Sequence, residues 1–189
     1  MDKQRKTDRR TLYTRQLIKD VFLEELSKKS YSKLSVSEIC KIAEINRGTF
    51  YLHYLDLDDV LDDIFTDFLS GTTSLVDHVL CPLKDTCTYP FCQRVQAEKR
   101  YQPLFLDELT ASRLLDKFAD SGKEPFVTYL MKNSLLTFEQ AEAVFYFQMN
   151  GCLAINRMMI KNHCMDWTVI QKTIDSFIKA GIEALLNKS

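Results

Sequence analysis

Apolar residues recur along this chain at the three- and four-residue spacing of helices. From Leu12 to about Ser27 the positions Leu17, Ile18, Val21, Phe22 and Leu26 form one stripe, while Lys19, Asp20, Glu24 and Glu25 fall off it. After a polar stretch from Lys28 to Lys33, Ser35 stands three residues before Glu38, a capping-box start for a second helix whose Ile39, Ile42 and Ala43 turn inward. That helix stops near Glu44-Ile45-Asn46. Asn46 is itself a favoured N-cap, so a third short helix, two turns long, starts at Arg47. Two capped short helices separated by so few residues predict a helix-turn-helix.

Further on, Val60, Leu61, Ile64, Phe65, Phe68 and Leu69 predict a helix from roughly Asp58 to Leu80. Asp56, Asp58, Asp59, Asp62 and Asp63 crowd its first turns, where acid complements the helix dipole, and they read as that and not as a metal site. Cys81 to Pro90 holds two Pro and two Cys and reads as a loop. Helical periodicity resumes at Phe91, pauses at Ser121-Gly122-Lys123 and returns from Glu124 to Lys132. Thr137 to Gln140 caps a long helix reaching Asn162, and Asp166 caps a last one from Trp167 to Leu186. In the last helix Ile170, Ile174, Phe177, Ile178, Gly181, Ile182 and Leu185 make a stripe wider than one neighbour requires. A second subunit would cover the excess.

Composition narrows this to an all-α chain. Its 189 residues are 46% apolar, ample for a core, and only five Gly and four Pro are present, with no run of alternating β-branched residues. The first residues are charged, which speaks against a secretory signal, and no apolar run approaches the ~20 residues of a membrane span. A cytoplasmic location is expected, with the six Cys as reduced thiols. The net charge of -1 conceals a segregation: residues 1–53 hold 12 Lys and Arg against 7 Asp and Glu, and the remainder 13 against 19. A basic head on an acidic body suits an N-terminus that meets phosphates. Met1 to Arg10, with Lys3, Arg5, Lys6, Arg9 and Arg10, reads as a mobile basic arm.

The run from Leu34 to Tyr54, and above all Gly48-Thr49-Phe50-Tyr51-Leu52-His53-Tyr54, resembles the DNA-binding signature of the TetR family of transcriptional regulators. With the preceding helix the resemblance covers about 50 residues; beyond them only helix pattern and length agree. It implies a helix-turn-helix domain over 1–56, its three helices preceded by the basic arm, and a helical effector-binding and dimerising domain over 57–189. It also implies that Ser35 and Ser37 touch the DNA backbone and that Phe50 packs in the three-helix core. The chemistry of the residues agrees. Arg47 can pair bidentately with guanine, Gly48 lets the backbone approach, and Thr49, Tyr51 and His53 can bond phosphates, while Leu52 can meet a thymine methyl. Two positions depart from the family pattern. Glu44 stands where the turn prefers Gly, which would cost roughly 1 kcal/mol in a left-handed conformation. Leu57 stands where family members commonly place a phosphate-binding Lys, a contact that Arg9, Arg10 and Arg15 could replace.

The resemblance further implies a small-molecule effector whose binding shifts the two heads. Phe105, Phe118, Phe126, Tyr129, Met131, Phe145, Tyr146, Met149 and Met158 are the candidate pocket lining, suited to an apolar or aromatic compound. His78, Cys81, Cys87 and Cys92 are a chemically sensible zinc set, but the spacing is unlike the usual pattern, and no metal or cofactor is expected. Cys40 reads as core. The leading expectation is therefore a homodimeric repressor on a palindromic operator, with double-stranded DNA and an effector as partners and dimer contacts through the last two helices. The alternatives are a coactivator or adaptor acting through protein partners and a thiol- or zinc-responsive regulator. An enzyme is not expected, since no nucleophile-base pair, phosphate loop or carboxylate pair stands out.

Overall fold

The computed structural model describes residues 2–70, 90–163 and 166–186, and every regular element among them is helical. They are α1 (Asp2–Lys28), a 3-10 turn (Tyr31–Lys33), α2 (Val36–Ile42), α3 (Arg47–Tyr51) and α4 (Leu57–Leu69). After these come α5 (Pro90–Ala97), a second 3-10 turn (Lys99–Tyr101), α6 (Pro103–Leu106), α7 (Glu108–Asn133), α8 (Phe138–Lys161) and α9 (Trp167–Leu186). No helix among the described residues is long and apolar enough to cross a membrane. The chain forms two units: Met1–Gly71 with Asp107–Thr110, and Thr72–Leu106 with Ala111–Ser189.

In the first unit the stripe of α1 is buried as its spacing requires, with Ile18, Val21, Phe22 and Leu26 at most 7% exposed. They share the core with Ile39, Cys40 and Ala43 of α2, Phe50 of α3, and Val60, Leu61, Ile64, Phe65 and Phe68 of α4. Burying each large side chain contributes about 1.5–3 kcal/mol. Four sequence expectations are corrected here. Ile42 does not turn inward but is 41% exposed, and Cys40 takes the inner position. Lys19 and Glu25 are buried, because each has opposite charges to meet: Asp63 and Asp67 for Lys19, Lys28 and Lys29 for Glu25. The arm is no separate segment, since α1 runs from Asp2; Lys, Arg and Gln cost little in a helix, and no Gly or Pro interrupts it. Helix α4, assigned from sequence to the second domain, belongs to the first unit, where its Asp63 and Asp67 bind α1.

In the second unit α7 runs unbroken through Ser121-Gly122-Lys123, where the sequence predicts a pause, and through Pro125. Pro125 leaves the carbonyl four residues earlier without its helical donor. Leu114 and Phe118 before the interruption and Phe126, Val127 and Leu130 after it are all buried, so packing carries the helix across. Helices α8 and α9 begin and end where their caps predict. Thr137 and Gln140 form a reciprocal capping box at the start of α8. Asp166 accepts from the Val169 amide at 3.1 Å at the start of α9. Ring packing of Phe126 on Phe145, with centroids 5.7 Å apart, joins α7 to α8.

Candidate nucleic-acid interface

Local capping shapes the two short helices. Ser35, in extended backbone, accepts the Glu38 amide at 3.3 Å and starts α2, while the Glu38 carboxylate turns to Lys29. Helix α2 ends in a Schellman turn: the Ile45 amide donates to the Cys40 carbonyl at 3.0 Å and the Glu44 amide to Lys41 at 3.4 Å. Such a turn needs a left-handed residue, and Glu44 occupies it with φ 53°. Asn46 then caps α3, its Oδ1 accepting from the Thr49 amide at 2.7 Å and from the Thr49 hydroxyl at 3.1 Å. A Cβ on Gly48 would lie 3.2 Å from that same oxygen. Glycine therefore protects the cap as well as thinning the surface.

Helix α3 is five residues long, shorter than the two turns its spacing predicts, and Leu52 is its C-cap. Phe50 is its fully buried anchor. The opposite side is open: Ser35, Ser37, Arg47 and Gly48 are exposed, Tyr51 is 55% exposed and Leu52 81%, and Thr49 and His53 are half-buried. The eight sequence-predicted DNA contacts thus lie on two adjacent short helices and the residues flanking them. Arg47 donates to the Ser37 hydroxyl across the turn, which joins the proposed base reader to a proposed backbone contact. Burial pushes the Cys40 thiol beneath them up, against the pull of Arg47, and leaves it an inert part of the core.

A half-buried charge network behind the recognition helix escaped the sequence reading. Tyr54, 2% exposed, donates to Asp63 at 2.6 Å, and the Arg15 guanidinium lies 5.0 Å from the Tyr54 ring. Arg15 and Lys19 each pair with Asp63 at 3.1 Å. Arg15, offered from sequence as a substitute phosphate contact, is instead committed to this network. Burial alone would raise the Asp63 carboxyl, but hydrogen bonds from Tyr54, Lys19 and Arg15 outweigh it and hold it below the usual carboxylate range. The spacing of Arg15, Lys19, Asp63 and Asp67 at i, i+4 on two helices was the available signal.

The predicted effector lining is dispersed. Phe105, Phe118, Phe126, Phe145 and Met149 are sealed in the core of the second unit. Tyr129 is half-buried, while Met131, Tyr146 and Met158 are exposed. A groove of about 890 Å³ does open between α8 and α9, but it is lined by other residues, among them Val144, Phe147, Gly151, Ile174, Phe177 and Gly181. Phe147 and Phe177 stand 72% and 66% exposed at its edges. His78, Cys81 and Cys87, and the side chain of Cys92, lie outside the described residues, and among those described no metal-binding cluster occurs.

No family model matches the chain. It is 30% identical over 79 residues to the uncharacterized HTH-type transcriptional regulator YxbF of Bacillus subtilis (strain 168), a match covering 41% of this chain and 20% of that protein. It is 39% identical over 61 residues to the HTH-type transcriptional regulator AcrR of Shigella flexneri, covering 32% and 28%. The matched segments thus span a fifth to little more than a quarter of these relatives. Among solved structures, the dihydroxyacetone kinase operon activator DhaS aligns over 93% of this chain and 97% of its own at 21% identity, with a TM-score of 0.41. Both sequence relatives carry the helix-turn-helix designation to which the two capped short helices point.

Proposed function

We propose that this chain, which resembles TetR-family regulators, is a DNA-binding transcriptional repressor that grips a palindromic operator as a homodimer and is controlled by a small-molecule effector. The observation that carries the reading is the capped recognition helix itself. Phe50 buries its inner side completely, and Arg47, Gly48, Tyr51 and Leu52 are left uncovered on the other. Arg47 would read guanine edges in the major groove, while Ser35, Ser37, Thr49, Tyr51 and His53 would fix the helix on phosphates.

The α8–α9 groove supports the dimer. An apolar groove edged by two exposed Phe is unfavourable in water, and a second copy presenting the same groove would cover it with two-fold symmetry. Gly151 and Gly181 have open space where a side chain would stand, so a partner helix can approach closely. The effector is assigned to the second unit, whose interior is predominantly apolar.

Footprinting on the DNA upstream of the chain's own gene, with sedimentation equilibrium, tests the reading. Two protected half-sites about one duplex turn apart and a dimer mass are expected. A monomer, or protection without symmetry, would count against it. Phe147→Glu with Phe177→Glu should give a folded monomer.

A further inference from the structure

Residues Asp107 to Thr110 belong to the first unit although they stand far from it in sequence. The hydrogen bonds of Asp107 show what they do there. One carboxylate oxygen accepts the amides of Leu109 and Thr110 at 3.1 and 3.0 Å, which makes Asp107 the N-cap of the 26-residue helix α7. The other oxygen accepts the amide of Tyr31 at 2.9 Å, 76 residues away. Tyr31 is itself a node. Its carbonyl accepts the Leu34 amide at 3.0 Å, closing the turn that delivers Ser35 to the start of α2. Its ring lies 6.0 Å from that of Phe22 on α1, and its hydroxyl donates to Asp58 in the first turn of α4.

We propose that Asp107 is a positioning residue for DNA binding: through Tyr31, its carboxylate ties the first turn of α7 to the start of α2 and to the first turn of α4, the helices on either side of the recognition helix. This rests on the DNA-binding reading of α3. Asp107 to Thr110 open helix α7 within the first unit, so a displacement of that first turn reaches Tyr31 through the Asp107 carboxylate. The coupling is reciprocal: DNA that immobilises α2 and α3 must also steady the cap of α7.

The two jobs of Asp107 can be separated. Asn caps a helix as well as Asp does, but its amide nitrogen is a donor, so Asp107→Asn keeps one acceptor where two are needed. Hydrogen–deuterium exchange of the full chain, with and without a duplex from its own upstream region, reads the coupling. In the unmodified protein bound duplex should slow exchange over residues 107–113 by about fivefold, the worth of one hydrogen bond. In Asp107→Asn the duplex should bind several-fold more weakly, and at saturating duplex that slowing should vanish. Bound duplex with no change over 107–113, or the same slowing in Asp107→Asn, overturns the proposal. If the unmodified chain binds no duplex, the regulator reading fails, and the joint is judged in the free protein. There Tyr31→Phe should speed exchange of the Leu109 and Thr110 amides when Asp107 is present and not in Asp107→Asn; unchanged exchange overturns the joint.

Discussion

Arg47 donates to the hydroxyl of Ser37, so the proposed base reader and a proposed backbone contact are bound to each other across the turn of the helix-turn-helix. Binding DNA must exchange that bond for contacts to a guanine edge and a phosphate. The two variants therefore differ in kind. Arg47→Ala should weaken operator binding by about 1–3 kcal/mol and flatten the preference at one base pair, while Ser37→Ala weakens all sequences alike. Titrations against duplexes with single base-pair changes decide it, and identical base preferences in the parent and in Arg47→Ala would remove Arg47 from readout.

Glu44 has φ 53° in the turn after α2, the left-handed conformation that glycine adopts without penalty. Glu44→Gly should stabilise the protein by up to about 1 kcal/mol, raising the melting temperature by roughly 2–4 °C. The duplex affinity should hold, because the turn geometry is the same. A lower melting temperature would mean that the Glu44 side chain contributes more than its backbone costs.

The Asp63 network gives acid sensitivity of a definite sign. Its carboxyl titrates below its ordinary value of 3.8 when folded, so the ionised cluster contributes stability above that pH, lost as pH falls through the lower folded value. Asp63→Asn should cost about 1–3 kcal/mol at neutral pH, and the cost should shrink as pH falls below 3.8. Thermal melts of both proteins across that range measure it; a difference that does not shrink toward acid would show that the charge is not what matters.

Asp175 in α9 has the opposite sign. Burial pushes its carboxyl up to about 6, and its buried Oδ2 has no hydrogen-bond partner among the described residues. A carboxyl harder to ionise in the folded state destabilises that state as pH rises from its ordinary 3.8 through the folded value. Asp175→Asn should melt higher than the parent at pH 8 and lose the advantage by pH 4. An advantage equal at both pH values would assign the effect to shape and not to charge.

What the sequence displayed was local. Ser35, Asn46, Thr137 and Asp166 each accept an amide three residues on, and all four helix starts were readable because cap and partner sit within one turn. The buried side of α3 was readable for the same reason. What escaped depends on residues far apart in the chain. Asp107 and Tyr31 are 76 residues apart and leave no periodic trace; Lys19 and Asp67 are 48 apart, and the i, i+4 spacing within each helix does not say which helix faces which. The run Ser121-Gly122-Lys123 looked like a break because intrinsic preference argues for one, and burial of Phe118 and Phe126 overrides it. Residue type alone nominates the effector lining, and type does not distinguish a sealed core Phe from a pocket wall.

The most direct test is a fluorescence-anisotropy titration of the full chain against its own upstream DNA at low and moderate salt, with Tyr51→Ala beside it. Tyr51 is 55% exposed on α3, so its loss should leave the fold and the dimer intact. Tight binding that weakens steeply with salt and is lost in Tyr51→Ala is the expected result. No binding at any salt, or full affinity in Tyr51→Ala, would contradict a DNA-binding role for this helix.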